Sequence, residues 1–312
     1  MRRSALQTFF RSALVAAIPL SLGVAQATTP ACTGTTIVIP SLNDDGGVSI
    51  TPINGTYTTA QCNQICGGYG YYCEPASADA GPTGSVACHI NRCSGNICGR
   101  MTDGVECANP GHRDEVVRFL ENAADLEAAS VWSFDRLARE LTAHGALPSL
   151  IARARAAGAD EVRHARVVGA LAKRRGGRGA KVATPSLPVR TLADVAVENV
   201  VEGCVRETYG ALVGGWQART AAARDVNRAM RAIARDEQRH AELAWDVARW
   251  TVPRLSPTER RRVRDAMRET VAGLARDVEL PPSQRIVREL GVPEPAVARA
   301  LVADGRRRLW RA

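Results

Sequence analysis

From residue 114 onward, apolar side chains return every three or four positions, the period of a helix buried along one face. The first run reaches from Asp114 to about Ala143 and puts Leu120, Ala123, Val131, Phe134 and Leu141 on one stripe. His144-Gly145 and Pro148 mark a turn. A second run, from about Ser149 to Arg174, carries Leu150, Ala154, Ala157, Val168 and Leu171 inward. The stretch 173–190, KRRGGRGAKVATPSLPVR, is broken by Gly and Pro and predicts a long connection. Thr191 is a candidate cap for a third helix from Leu192 to about Ala218, with Leu192, Val195, Val205, Tyr209, Val213 and Trp216 in a row. A fourth runs from about Asp225 to Trp250, with Met230, Ile233, Ala241 and Ala244 inward, and Pro253 ends it. A fifth is predicted from Pro257 to Val278, with shorter helical pieces beyond. Two helix pairs joined by one long link predict a mainly α protein. Its centre is a four-helix bundle with a single crossover over residues 111–252, followed by a helical extension over 253–312.

The stretch 28–110 has no helical period. It is rich in Gly, Thr, Pro, Asn and Cys, with β-compatible pieces TTIVIP (35–40) and VSITPI (48–53) around the turn signal NDDGG (43–47). Eight of the nine cysteines fall at Cys32, Cys62, Cys66, Cys73, Cys88, Cys93, Cys98 and Cys107. An even set in one short segment predicts a disulfide framework whose pairing the sequence leaves open. Cys62-x-x-x-Cys66 and Cys88-His89 lack the paired Cys-x-x-Cys knuckles of a zinc module. Cys204 stands apart and is expected to be a buried thiol.

Residues 1–27 have the form of an export signal: Arg2 and Arg3, an apolar stretch from Ala13 to Val24, and Ala25-Gln26-Ala27 before a mature start near Thr28. Pro19 and Gly23 interrupt the apolar stretch, so no transmembrane span is expected once the signal is removed. The expected location is the periplasm, the cell envelope or outside the cell, where disulfides persist. Lipidation of Cys32 is the alternative, and the even cysteine count argues against it. The net charge of +9 changes this picture little, because most arginines fall on helices among aspartates and glutamates. No nucleic-acid partner is expected. A partner in the envelope, bound through the Cys-rich module, is the open possibility.

The candidate chemistry lies in a pattern that occurs twice, DEVRH at 160–164 and DEQRH at 236–240. Each copy sets a glutamate and a histidine three residues apart, on one helical face: Glu161 with His164, and Glu237 with His240. A lone glutamate precedes each pair on the preceding helix. Glu161 follows Glu127 by 34 residues, and Glu237 follows Glu202 by 35. All six side chains fall within the apolar stripes. Four buried carboxylates repel one another unless protons or cations compensate them. Two divalent ions would balance four carboxylates, and Glu with Glu-x-x-His on each helix pair is the ligand pattern of a dinuclear bundle site. Glu198 and Glu207 are the rivals to Glu202 on the third helix. Glu207 breaks the repeated spacing, and Glu198 is a possible additional ligand.

The stretches LEAASVWSF (126–134), DEVRHARVVGALA (160–172), VEGCVRETYGALV (201–213) and DEQRHAELAWDVARW (236–250) resemble those of exported bacterial ferritin-like domain proteins, within the wider di-iron carboxylate superfamily. The resemblance covers residues 114–252. It implies that Glu127, Glu161, His164, Glu202, Glu237 and His240 bind two metal ions, expected to be iron, with manganese or zinc as alternatives. Glu161 or Glu237 would reach both ions. It also implies that Asp236 orients His164 and Asp160 orients His240. The expected function is an O2- or peroxide-linked oxidoreductase. The alternative is a non-enzymatic, metal-stabilised envelope protein.

Overall fold

The computed structural model describes residues 3–16, 36–39, 71–75, 86–90, 114–180, 188–279 and 281–310. The chain divides into two compact units, Thr29–Ser94 on one side and Met1–Thr28 with Gly95–Ala312 on the other. The piece VSITPI, the Ala25-Gln26-Ala27 motif, and Cys32, Cys62, Cys66, Cys93, Cys98 and Cys107 lie outside the described residues.

In the smaller unit, β1 (Thr36–Ile39), β2 (Tyr71–Pro75) and β3 (Val86–Ile90) form an antiparallel sheet with β3 in the centre. β1 falls within the predicted TTIVIP piece. The register sets Cys73 opposite Cys88.

The larger unit is helical. It opens with α1 (Arg3–Ala16), and then α2 (Glu115–Ala143) and α3 (Pro148–Lys173) form an antiparallel hairpin. Asp114 caps α2, accepting from the Val116 and Val117 amides at 2.9 and 3.1 Å. Pro148 starts α3 at the first helical position, where its missing N–H costs nothing. Thr191 caps the third helix by accepting from the Asp194 amide. That helix is not one α-helix, as its apolar period predicted. It is α4 (Leu192–Glu198), a π-helical segment (Asn199–Glu207) and α5 (Thr208–Thr220) in one rod. Next comes α6 (Arg224–Thr251), antiparallel to α5. The predicted extension is α7 (Pro257–Asp277), opened by a Ser256–Glu259 capping box, then α8 (Gln284–Leu290) and α9 (Pro295–Arg308).

The wide π turns change which face of the third helix looks where. Val205, Tyr209 and Val213, expected on the ligand row, pack instead in a cluster with Leu301, Val302 and Trp310 from the C-terminal part. The segment read as an export signal contributes to the same cluster. Leu6, Phe9, Phe10 and Ala13 of α1 are buried there, at the i, i+3, i+4, i+7 spacing of one helix face. Among the described residues, no helix is long and apolar enough to cross a membrane.

Two apolar clusters fill the bundle. One joins Leu120, Val168, Ala218, Met230 and Ile233. The other joins Phe134, Leu141, Ala157, Val195, Leu243 and Val247. The crossover is tied down at both ends to α2. At its start, Arg178 reaches Asp125 with two hydrogen bonds of 2.8 and 2.6 Å, and its amide donates to Glu121. Gly177 permits this close approach, because a Cβ there would lie 2.5 Å from Val117 Cγ1. At its end, Arg190 meets Glu140 and Glu198.

Candidate metal centre

Each long helix changes character once, between the two apolar clusters. There α2 carries Glu127, α3 carries Glu161 and His164, and α6 carries Glu237 and His240. Their exposures are 2%, 0%, 3%, 0% and 2%. Glu127, Glu161, His164 and Glu237 each offer one ligand atom within 4.8 Å of the others. His164 Nδ1 lies 3.3 Å from Glu127, 3.5 Å from Glu161 and 3.4 Å from Glu237. His240 Nδ1 lies 3.0 Å from Glu161 and 3.6 Å from Glu237. The two oxygens of Glu161 therefore face different histidines, Oε2 toward His164 and Oε1 toward His240.

These atoms are close but poorly aligned with one another. Glu127 Oε2, both oxygens of Glu161 and of Glu237, and both Nδ1 atoms are buried without a hydrogen-bond partner. Orphaned atoms of this kind are costly in a protein interior. They fit the coordination shell of an ion. Donors at about 2.1 Å from a metal, at right or tetrahedral angles, stand about 3.0–3.4 Å apart. The cluster could hold a metal ion. Carboxylate and imidazole donors suit iron, manganese and zinc alike.

The outer nitrogens cross between helices. His164 Nε2 on α3 lies 3.1 Å from Asp236 on α6, and His240 Nε2 on α6 lies 3.3 Å from Asp160 on α3. An aspartate accepting from Nε2–H fixes the tautomer that leaves Nδ1 free to ligate. The arginine of each D-E-x-R-H copy completes the arrangement, a role the sequence reading did not assign. Arg163 donates to Asp160 at 2.5 Å and to Asp236 at 3.2 Å. Arg239 reaches Asp160 at 3.0 Å and Asp236 at 2.8 Å. The signal for it was present, since the arginine recurs at the same place in both copies.

Glu202 lies outside the four-residue convergence. It is 5% exposed, and its Oε1 accepts from Arg206 at 3.1 Å. Glu198 pairs with Arg190. Glu207, at the end of the π-helical segment, is 1% exposed. Cys204 is buried, and its Sγ lies 3.9 Å from Asn199 Nδ2.

The charges of the metal-free cluster follow from crowding. Burial, and then the negative charge of Glu161, push Glu127 well above the carboxylate range. Burial opposes charge on His164, but the carboxylates of Glu127, Glu161 and Glu237 outweigh it and raise its pKa far above that of a free imidazole. Burial likewise opposes charge on His240, and Glu237, Asp160 and Glu161 raise it well above the ordinary value. Glu161 is buried too, yet the two histidines bring it down to about 2. Burial works against the Asp160 carboxylate, but His240 and Arg163 hold it below the usual range.

The depressed acids contribute stability that is complete above the ordinary carboxylate value of 4.5 and lost as pH falls toward about 2. Thermal unfolding of chelated protein should therefore show a melting temperature that drops between those limits. A flat profile there would contradict the ion-paired cluster. Metal must displace protons from the imidazoles and from Glu127, so loading should release protons and tighten with rising pH.

Replacing Asp236 with asparagine removes the charge that orients His164. Metal affinity is expected to fall about 10- to 100-fold, read by competition with a chelator. Unchanged affinity would show that the Asp236 charge does not prepare His164 for a metal. Comparison of the chain with protein-family models, with curated proteins and with solved structures finds no match.

Proposed function

We propose that this chain is an exported ferritin-like protein that holds two divalent metal ions, iron foremost, and couples them to O2 or peroxide as an oxidoreductase. The observation that carries this reading is the buried set of orphaned ligand atoms, with Glu161 turned to both histidines and each Nε2 facing an aspartate on the other helix. A pair of irons supplies redox chemistry that carboxylates and imidazoles lack. The chain's own part is to hold charge and exclude water. Glu127, Glu161 and Glu237 would neutralise the ions, and His164 and His240 would ligate through Nδ1. Asp160 and Asp236 keep the outer protons on Nε2, and Phe134, with its ring centroid 5.0 Å from that of His240, forms an apolar wall.

The near-complete burial of every ligand favours a second reading, a closed structural site in a non-enzymatic envelope protein. Anaerobic addition of Fe(II) followed by O2 separates the two. Two irons per chain and rapid O2 uptake are expected for the oxidoreductase. Tightly held zinc and no O2 uptake would overturn it.

A further inference from the structure

We infer that Glu207, and not Glu202, supplies the carboxylate from the third helix that completes the metal position around His240. This rests on the dinuclear reading above. Three observations place it.

The first is depth. On the other three helices the ligands lie midway between residues of the two apolar clusters: Glu127 between Ala124 and Phe134, Glu161 and His164 between Ala157 and Val168, Glu237 and His240 between Ile233 and Leu243. On the third helix the bounding residues are Val195 and Ala218, and Glu207 lies near their midpoint. Hairpin geometry agrees. Glu207 stands fourteen residues before Ala221, and Glu237 stands fourteen residues after Ala223, on the antiparallel partner. The level that matches Glu202 is Glu242, beyond His240, where Gln7 of α1 donates to the carboxylate.

The second is the face. Ala218 packs into the bundle interior with Leu120, Val168 and Met230. Glu207 precedes it by eleven residues of α-helix, about three full turns, and so lies on the same side. Val205 and Tyr209, on either side, pack outward toward α1 and α9. Glu207 is 1% exposed, whereas Glu202 is held by Arg206, itself 40% exposed at the side chain.

The third is the π-helical segment, which explains why spacing pointed to Glu202. Residues five apart are roughly 140° apart around an α-helix. Bonds of the i→i+5 type widen the turn and bring them to roughly 50°. A row traced with the α period from Val195 reaches Glu202 and then drifts onto Val205 and Tyr209. Traced with the wider turn, it reaches Glu207.

The test is cobalt(II) titration of the metal-free full chain, following ion stoichiometry and absorption. Wild type is expected to bind two ions. Glu207→Gln is expected to keep the first, which also shows that it folds, and to lose affinity for the second on the order of 100-fold or more. Glu202→Gln is expected to keep both. Loss of the second ion in Glu202→Gln would overturn the assignment, whatever Glu207→Gln does. Should Glu207→Gln not fold, Arg206→Ala decides the matter. Unchanged affinity for the second ion supports Glu207, and a change in it means that Glu202 ligates. Fewer than two ions in wild type would sink the dinuclear reading itself, before any variant is compared.

Discussion

Glu161→Gln is expected to abolish tight metal binding at both positions, with a loss on the order of 100-fold or more at each. Glu237 approaches both histidines through the single oxygen Oε1, whereas Glu161 turns a separate oxygen to each, 3.5 Å from His164 Nδ1 and 3.0 Å from His240 Nδ1. Glutamine keeps the shape but replaces one oxygen with an NH2 group, which has no lone pair to give a metal, and removes the negative charge. The metal-free protein suffers as well, because both raised imidazoles lose a buried counter-charge. Thermal unfolding with and without metal provides the readout. At an ion concentration about 100 times Kd, wild type should gain about 2.7 kcal/mol from each ion bound. Glu161→Gln, weakened about 100-fold or more, should gain no more than about 0.4 kcal/mol from each. A metal-dependent shift equal to that of wild type would remove Glu161 from the site.

Much of this site was legible because it obeys simple periods. Glu161 and His164, like Glu237 and His240, are three apart on straight α-helices, so one face was enough to bring them together. Glu127 lies on a row that stays α-helical from Leu120 to Leu141, and it joins that cluster. The third helix was harder for a physical reason. A π-helical segment leaves the apolar residues in the same sequence but changes which of them share a face, and the i, i+3, i+4 pattern passes over it. The outward turn of Val205, Tyr209 and Val213 follows from that. Docking of α1 was equally hidden, since its buried face reads as part of a leader until Tyr209, Leu301 and Trp310 are seen beside it. The strand pairing of β2 with β3 joins segments whose local sequence is dominated by turn formers and cysteine, so no period announced it.

The fold should be most sensitive at the end of the crossover. Arg190→Ala is expected to cost about 3–5 kcal/mol, the range for removing one partner of a buried pair. Glu140 is fully buried and receives the Arg190 amide at 3.1 Å, Nε at 2.8 Å and Nη2 at 2.9 Å. Its other described partner is Arg136, at 3.3 Å. Arg190 also pairs with Glu198, at the start of the π-helical segment, and its carbonyl meets His144 Nε2 at 2.8 Å. One side chain thus joins the end of α2 to the entry of the third helix. At about 2–4 °C per kcal/mol for a unit of this size, the melting temperature should fall by about 6–20 °C. Arg163→Ala is the control, since its side chain is 54% exposed and an exposed pair is worth about 0–1 kcal/mol. A second substitution tests the cause. Adding Glu140→Leu to Arg190→Ala removes the stranded buried charge, and much of the lost stability should return. If the double variant is no more stable than Arg190→Ala alone, the cost comes from the lost grip on the crossover, and not from an uncompensated carboxylate.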